Sequence, residues 1–156
     1  MATGSDGRGR QGGSADETER KEVLSLVEVM ENPSIKNKNT LLARFGQLMS
    51  KADSYNTLPD DNETFEFDFN INQKVWAETG ELRRSGSLLE SGKNVRCPVI
   101  AIHGDYDPHP AAGVNEPLSH IIKNFRFFLL KNCGHKPWVE KDARDDFYRI
   151  LKKNIA

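Results

Sequence analysis

Two carboxylates and one imidazole in the last third of the chain have the types and the spacing for acid–base chemistry. Asp105 and Asp107 follow the apolar run Pro98-Val99-Ile100-Ala101-Ile102, and His135 follows Phe125-Arg126-Phe127-Phe128-Leu129-Leu130. A carboxylate that accepts the Nδ1–H of an imidazole fixes its tautomer and stabilises the imidazolium formed when Nε2 takes a proton. By residue type alone either aspartate can serve. The other is then a turn residue whose side chain satisfies nearby backbone N–H groups.

Placing such a pair requires two strands that end at the same edge of a sheet. The first run is β-branched and almost wholly apolar, as expected of a strand buried on both faces, and the second is nearly as apolar. Between them Val114, Leu118, Ile121 and Ile122 recur at helical spacing over 114–123. Strand, helix, strand is a βαβ unit, which implies parallel strands. A closing helix is expected over 140–153.

With its glycines included, this stretch closely resembles the C-terminal end of the α/β-hydrolase family. The chain has Gly104-Asp105-Tyr106-Asp107 after the first strand, then Gly134-His135 after the second, followed by Lys136-Pro137-Trp138-Val139-Glu140. In that family the triad acid lies three residues past the glycine, and the triad base follows the second glycine. The resemblance implies that Asp107 is the acid and His135 the base. It implies an α/β fold over residues 94–156: a partial α/β-hydrolase core with two late parallel strands, a crossover helix and C-terminal helices. It also implies a small-molecule substrate whose ester- or amide-type bond is hydrolysed through a Ser-Asp-His triad.

The family's nucleophile precedes the acid, on Gly-x-Ser-x-Gly between a strand and a helix. The sequence has no such motif, no Asp or Cys version of it, and no His-Gly-Gly segment to supply an oxyanion donor. Upstream of Cys97 no series of buried parallel strands is legible either. The chain is therefore expected to be the back half of a hydrolase. Its nucleophile would come from a missing N-terminal half or another chain, and it would be inactive alone. Removing the nucleophile of a serine protease lowers turnover by about 10⁶. The alternatives are a fragment without independent function, or a non-catalytic truncated homologue that binds partners, with an unpaired strand edge as its natural docking element.

Residues 14–93 read as largely helical. Ser14 and Glu17 fit a capping box opening a helix that runs to about Glu31, with Val23, Leu26, Val27 and Met30 along one stripe. Asn32-Pro33 breaks it. A second helix is expected over 39–52, with Leu41, Phe45 and Leu48 on one face and Leu42 and Met49 adjoining. Phe65, Phe67, Phe69 and Ile71 alternate with polar residues, which argues for a half-buried strand, although the same segment can lead directly into a helix over 72–79. The resemblance implies that 14–93 is a helical cap-like region. Its aromatics, Phe65, Phe67, Phe69 and Trp76, would then either line an apolar pocket or pack cap against core. Residues 1–13 are Gly-rich, carry Arg8 and Arg10, and have nothing large and apolar beyond Met1, so they read as a disordered tail.

Two other constellations have residue types that could bind a ligand. His103-x-Asp105-x-Asp107-x-His109 puts four metal-ligand types at alternate positions, which on an extended strand share one face. Pro108 and Pro110 argue against a regular strand there, and the order of the acidic and histidine motifs does not fit the metal-dependent phosphoesterases. No metal and no cofactor is therefore expected. Arg8, Arg10, Arg20 and Lys21 are interleaved with Asp16, Glu17, Glu19 and Glu22, which describes a solvated helix face rather than a nucleic-acid surface. His120 reads as an exposed helix residue, His103 as a strand-end residue and His109 as a loop residue.

Composition sets the outer bounds. Of 156 residues, 37% are apolar, and the mean hydropathy of −0.65 is low for a sheet covered on both faces. A net charge of −1 supplies no field for nucleic acid or anionic lipid. No apolar run reaches the roughly 20 residues of a membrane span, and no secretory leader is visible, so a cytoplasmic protein with reduced Cys97 and Cys133 is expected.

Overall fold

The computed structural model describes residues 17–58 and 66–155. They form an α/β arrangement: helices α1 (Glu17–Glu31), α2 (Asn39–Ala52), α3 (Phe69–Arg84) and α4 (Ser87–Ser91), then strand β1 (Val99–Gly104), helix α5 (Ala111–Ile121), strand β2 (Phe125–Leu130) and helix α6 (Arg144–Ile155). The tail expected over 1–13, Ser14 of the capping box, and Phe65 lie outside the described residues.

β1 and β2 pair in parallel, Val99 opposite Phe125 through to Gly104 opposite Leu130. α5 supplies the crossover that parallel pairing demands. Beneath the sheet Leu130, Cys133, Ala143 and Ile150 form a small core, with Ile102, Phe128 and Phe147 packed against it. Ile150 comes from α6, so the last helix covers one face of the strands. The expectation of strands buried on both faces is not met. Val99 to Ile102 are only half-buried, because among the described residues the sheet has two strands. Among the described residues β1 therefore pairs with β2 alone.

The helical region follows the periodic reading closely, and α2 has the expected bounds, with Leu42 and Leu48 buried. Its face toward α1 is held by ion pairs, Arg44 to Glu22 through two nitrogens and Lys51 to Glu19. From residue 66 on, the alternating aromatic segment is not a strand. Residues 66–68 belong to no strand or helix, and Asp68, whose own backbone is extended, caps α3 by accepting from the Ile71 N–H at 3.0 Å. Period 2 without a partner strand stabilises nothing, whereas an N-cap aspartate satisfies an orphan donor at once. Phe67 lies against Gly46 of α2, Phe69 sits under the Lys38 ammonium, and Trp76 is 59% exposed. They do not converge on one apolar pocket.

Cys97 precedes β1 and is exposed, whereas Cys133 follows β2 and is buried; both are free thiols. Parallel pairing sends them to opposite ends of the sheet, about 20 Å apart at some 3.3 Å per residue, too far for a disulfide. No helix among the described residues is long and apolar enough to cross a membrane.

Candidate acid–base site

The chain leaves β1 at Gly104 and turns through Asp105 to Asp107, and it leaves β2 toward Cys133, Gly134 and His135. Backbone bonds join the two exits: Asp105 N–H donates to Leu130 O and Tyr106 N–H to Cys133 O, each at 2.9 Å. This approach requires glycine. A Cβ on Gly104 would lie 2.1 Å from Cys133 O, and one on Gly134 would lie 2.2 Å from Asp53 O. Both distances are inside any real contact, so the glycines of the two sequence motifs are spacers between main chains.

The two aspartates differ in what each touches. Asp105 turns toward the second exit, accepting from the Cys133 N–H at 3.3 Å and facing the Lys131 ammonium at 3.5 Å. The Asp107 side chain is 5% exposed, and its Oδ2 accepts from His135 Nδ1 at 2.8 Å. His135 is half-exposed, its N–H donating to Asp53 O at 2.9 Å. With Nδ1–H committed to the carboxylate, Nε2 carries the lone pair and is the basic nitrogen.

Asp107 also holds a second imidazole. Its Oδ1 accepts from the His109 N–H at 2.8 Å and from His109 Nδ1 at 3.0 Å, and the two imidazole rings lie 5.5 Å apart. The His109 carbonyl in turn accepts from Nε2 of the buried His103 at 2.9 Å, a bond that places a proton on that nitrogen. Burial alone would push the Asp107 carboxyl up. The hydrogen bonds from the His109 backbone and from the His135 and His109 rings, with the attraction of His135, outweigh that and hold it below the ordinary carboxylate range.

Asp53, at the end of α2, is the residue the sequence did not reveal. Its half-buried carboxyl is pushed up by burial and by the Asp107 charge, against the pull of His135 and His109. It therefore sits in the same electrostatic cluster. The only local signal was an acidic residue at a helix C-terminus, which is ordinary; its relevance comes from a contact with a loop some eighty residues later.

No hydroxyl or thiol among the described residues hydrogen-bonds to His135. Ser54, next to its backbone partner, donates to Ser50 O at 2.7 Å instead. Cys133 is buried beside Glu140, Asp105 and Asp107; burial first and these charges next push its thiol up to about 12, so it is no thiolate nucleophile at neutral pH. A cleft of about 550 Å³ lies between the start of α2 and residues 66–68, lined by Asn39, Thr40, Ala43, Glu66, Phe67 and Asp68, none of them in the cluster. No protein-family model matches this chain, and neither a curated protein nor a solved structure does.

Proposed function

We propose that Asp107 and His135 are the acid–base half of an α/β-hydrolase-type site. In that role His135 Nε2 takes the proton of an attacking hydroxyl and returns it to the leaving group, while Asp107 holds the imidazole and balances the imidazolium. The hydroxyl and the donors that stabilise the developing oxyanion would come from a segment beyond those described or from another chain. The substrate class is a small molecule with an ester- or amide-type bond. Support rests on the 2.8 Å bond from His135 Nδ1 to a carboxylate that is itself buried, while the imidazole remains open to solvent.

The test is hydrolysis of an activated short-chain aryl ester by the purified chain beside His135→Ala and Asp107→Asn. A rate in the parent that both variants lose supports a working base. Equal background rates in all three overturn catalysis by this chain alone. A second function then gains ground, a non-catalytic element that adds to another chain. Among the described residues it is favoured by the edge of β1 that no strand covers and by the absence of any hydroxyl or thiol hydrogen-bonded to His135.

A further inference from the structure

An acid–base pair needs one imidazole on its carboxylate; Asp107 carries two. We propose that Asp107, His109 and His135 bind a single divalent transition-metal ion of the zinc class. Each residue offers one donor atom, and the three lie within 4.8 Å of one another. The two imidazoles meet different oxygens of Asp107, His135 Nδ1 at 2.8 Å from Oδ2 and His109 Nδ1 at 3.0 Å from Oδ1. An ion bound at about 2.1 Å to each donor, with angles between octahedral and tetrahedral, needs donor separations of about 3.0–3.4 Å. Each imidazole stands within a few tenths of an ångström of that spacing from its own Asp107 oxygen.

No proton has to leave the protein. Each neutral imidazole moves its Nδ1 proton to Nε2, and the freed Nδ1 lone pair meets the cation where a hydrogen bond had been. The loop is prepared for this exchange. Pro108 and Pro110 flank His109 and restrict its backbone, the His109 N–H stays on Asp107 Oδ1, and His103 anchors the His109 carbonyl.

Two imidazoles with one carboxylate select zinc, cobalt, nickel or copper over magnesium and calcium, which take oxygen ligands. His109 and His135 are 68% and 52% exposed at their side chains, so the ion enters from solvent and keeps open positions for water. Occupancy removes the Nδ1–H bond on which His135 depends as a base. Ion and base are therefore alternatives at one place, and the ion acts as an inhibitor of the proposed hydrolytic role. The metal site itself rests on donor geometry and survives or fails independently of that role.

The experiment is titration of the tag-free full chain with Co²⁺, followed by its visible absorption and by displacement with Zn²⁺, with no substrate present. One equivalent is expected. Because loss of an outer-shell partner alone weakens metal binding about 10–100-fold, His109→Ala and His135→Ala should each weaken it by at least about tenfold. His120→Ala and Cys97→Ser should bind as the parent does. His109 is a mostly exposed loop residue, so its variant reports on the site without a folding defect. Absence of saturable uptake, uptake unchanged in either cluster variant, or uptake that falls with His120→Ala or Cys97→Ser would each overturn the site.

Discussion

The Glu140 carboxylate accepts a hydrogen bond from the Gly134 N–H at 3.0 Å, and so fixes the main chain one residue before His135. Glu140 is fully buried and also accepts from Tyr55 N–H at 2.8 Å and Asn56 N–H at 2.6 Å. Its backbone bridges Thr57 in antiparallel fashion, with bonds from Leu58 to Val139 O and from Lys141 to Asn56 O. One side chain thus joins the end of α2, the loop bearing His135 and the approach to α6.

Glu140→Ala leaves three inward N–H groups without an acceptor. At about 1–3 kcal/mol for each unsatisfied group, the loss should exceed about 3 kcal/mol and leave the chain barely folded. Glu140→Gln keeps one oxygen but turns an NH₂ toward a donor, so a loss of about 1.5–3 kcal/mol is expected. Urea unfolding followed by circular dichroism measures both. A Gln variant as stable as the parent would show that the carboxylate is not the clasp.

The glycines at the two strand exits should be far less replaceable than a helical one. Gly104→Ala and Gly134→Ala drive a Cβ into main-chain oxygen and should each cost about 1–3 kcal/mol or more. Gly113, inside α5 with nothing within 4 Å of its Cβ position, should gain up to about 1 kcal/mol when replaced by Ala. Thermal melts of the three variants should separate in opposite directions from the parent.

Asp107 and Asp53 should show opposite pH dependence. The Asp107 carboxyl is held low, so its stabilisation is fully present above the unfolded value near pH 4 and is lost as pH falls through the folded value. Asp107→Asn should therefore be destabilised by about 1–3 kcal/mol at neutral pH, with the gap closing on acidification. The Asp53 carboxyl is held high, so the folded state binds its proton more tightly and stability falls as pH rises from the unfolded to the folded value. Asp53→Asn should melt higher than the parent at pH 7, an advantage that shrinks below the carboxylate range. Melting temperatures from pH 3 to 7.5 give both signs.

The two thiols should differ sharply toward a disulfide reagent. Cys97 is exposed and should react in the native protein, whereas Cys133 is buried, with its thiol pushed up to about 12, and should react only on unfolding. One fast equivalent followed by a denaturant-dependent second is the expected course. Two fast equivalents would mean that the core around Leu130 and Ile150 opens readily.

Much of this chain was written locally. Apolar periodicity placed α2 at Asn39–Ala52 and β2 at Phe125–Leu130, and the βαβ order required parallel strands ending at one edge, with Asp107 and His135 beyond them. Such features depend on near neighbours and on the period of the chain, which a sequence states outright. Where two local preferences competed, as at Phe67 and Phe69, the alternation lost to the Asp68 cap, since a strand without a partner satisfies no backbone groups. The second imidazole is local, two residues past Asp107, but the other contacts that complete the site are long-range. The meeting of Asp107 with His135 depends on how the exits of β1 and β2 are joined, and the nearness of Asp53 and the clasp by Glu140 on how the end of α2 docks against the loop after β2. Residue type and spacing are silent on that docking, because it is decided by main-chain hydrogen bonds and by close approach at Gly104 and Gly134, which exist only once the tertiary structure has formed.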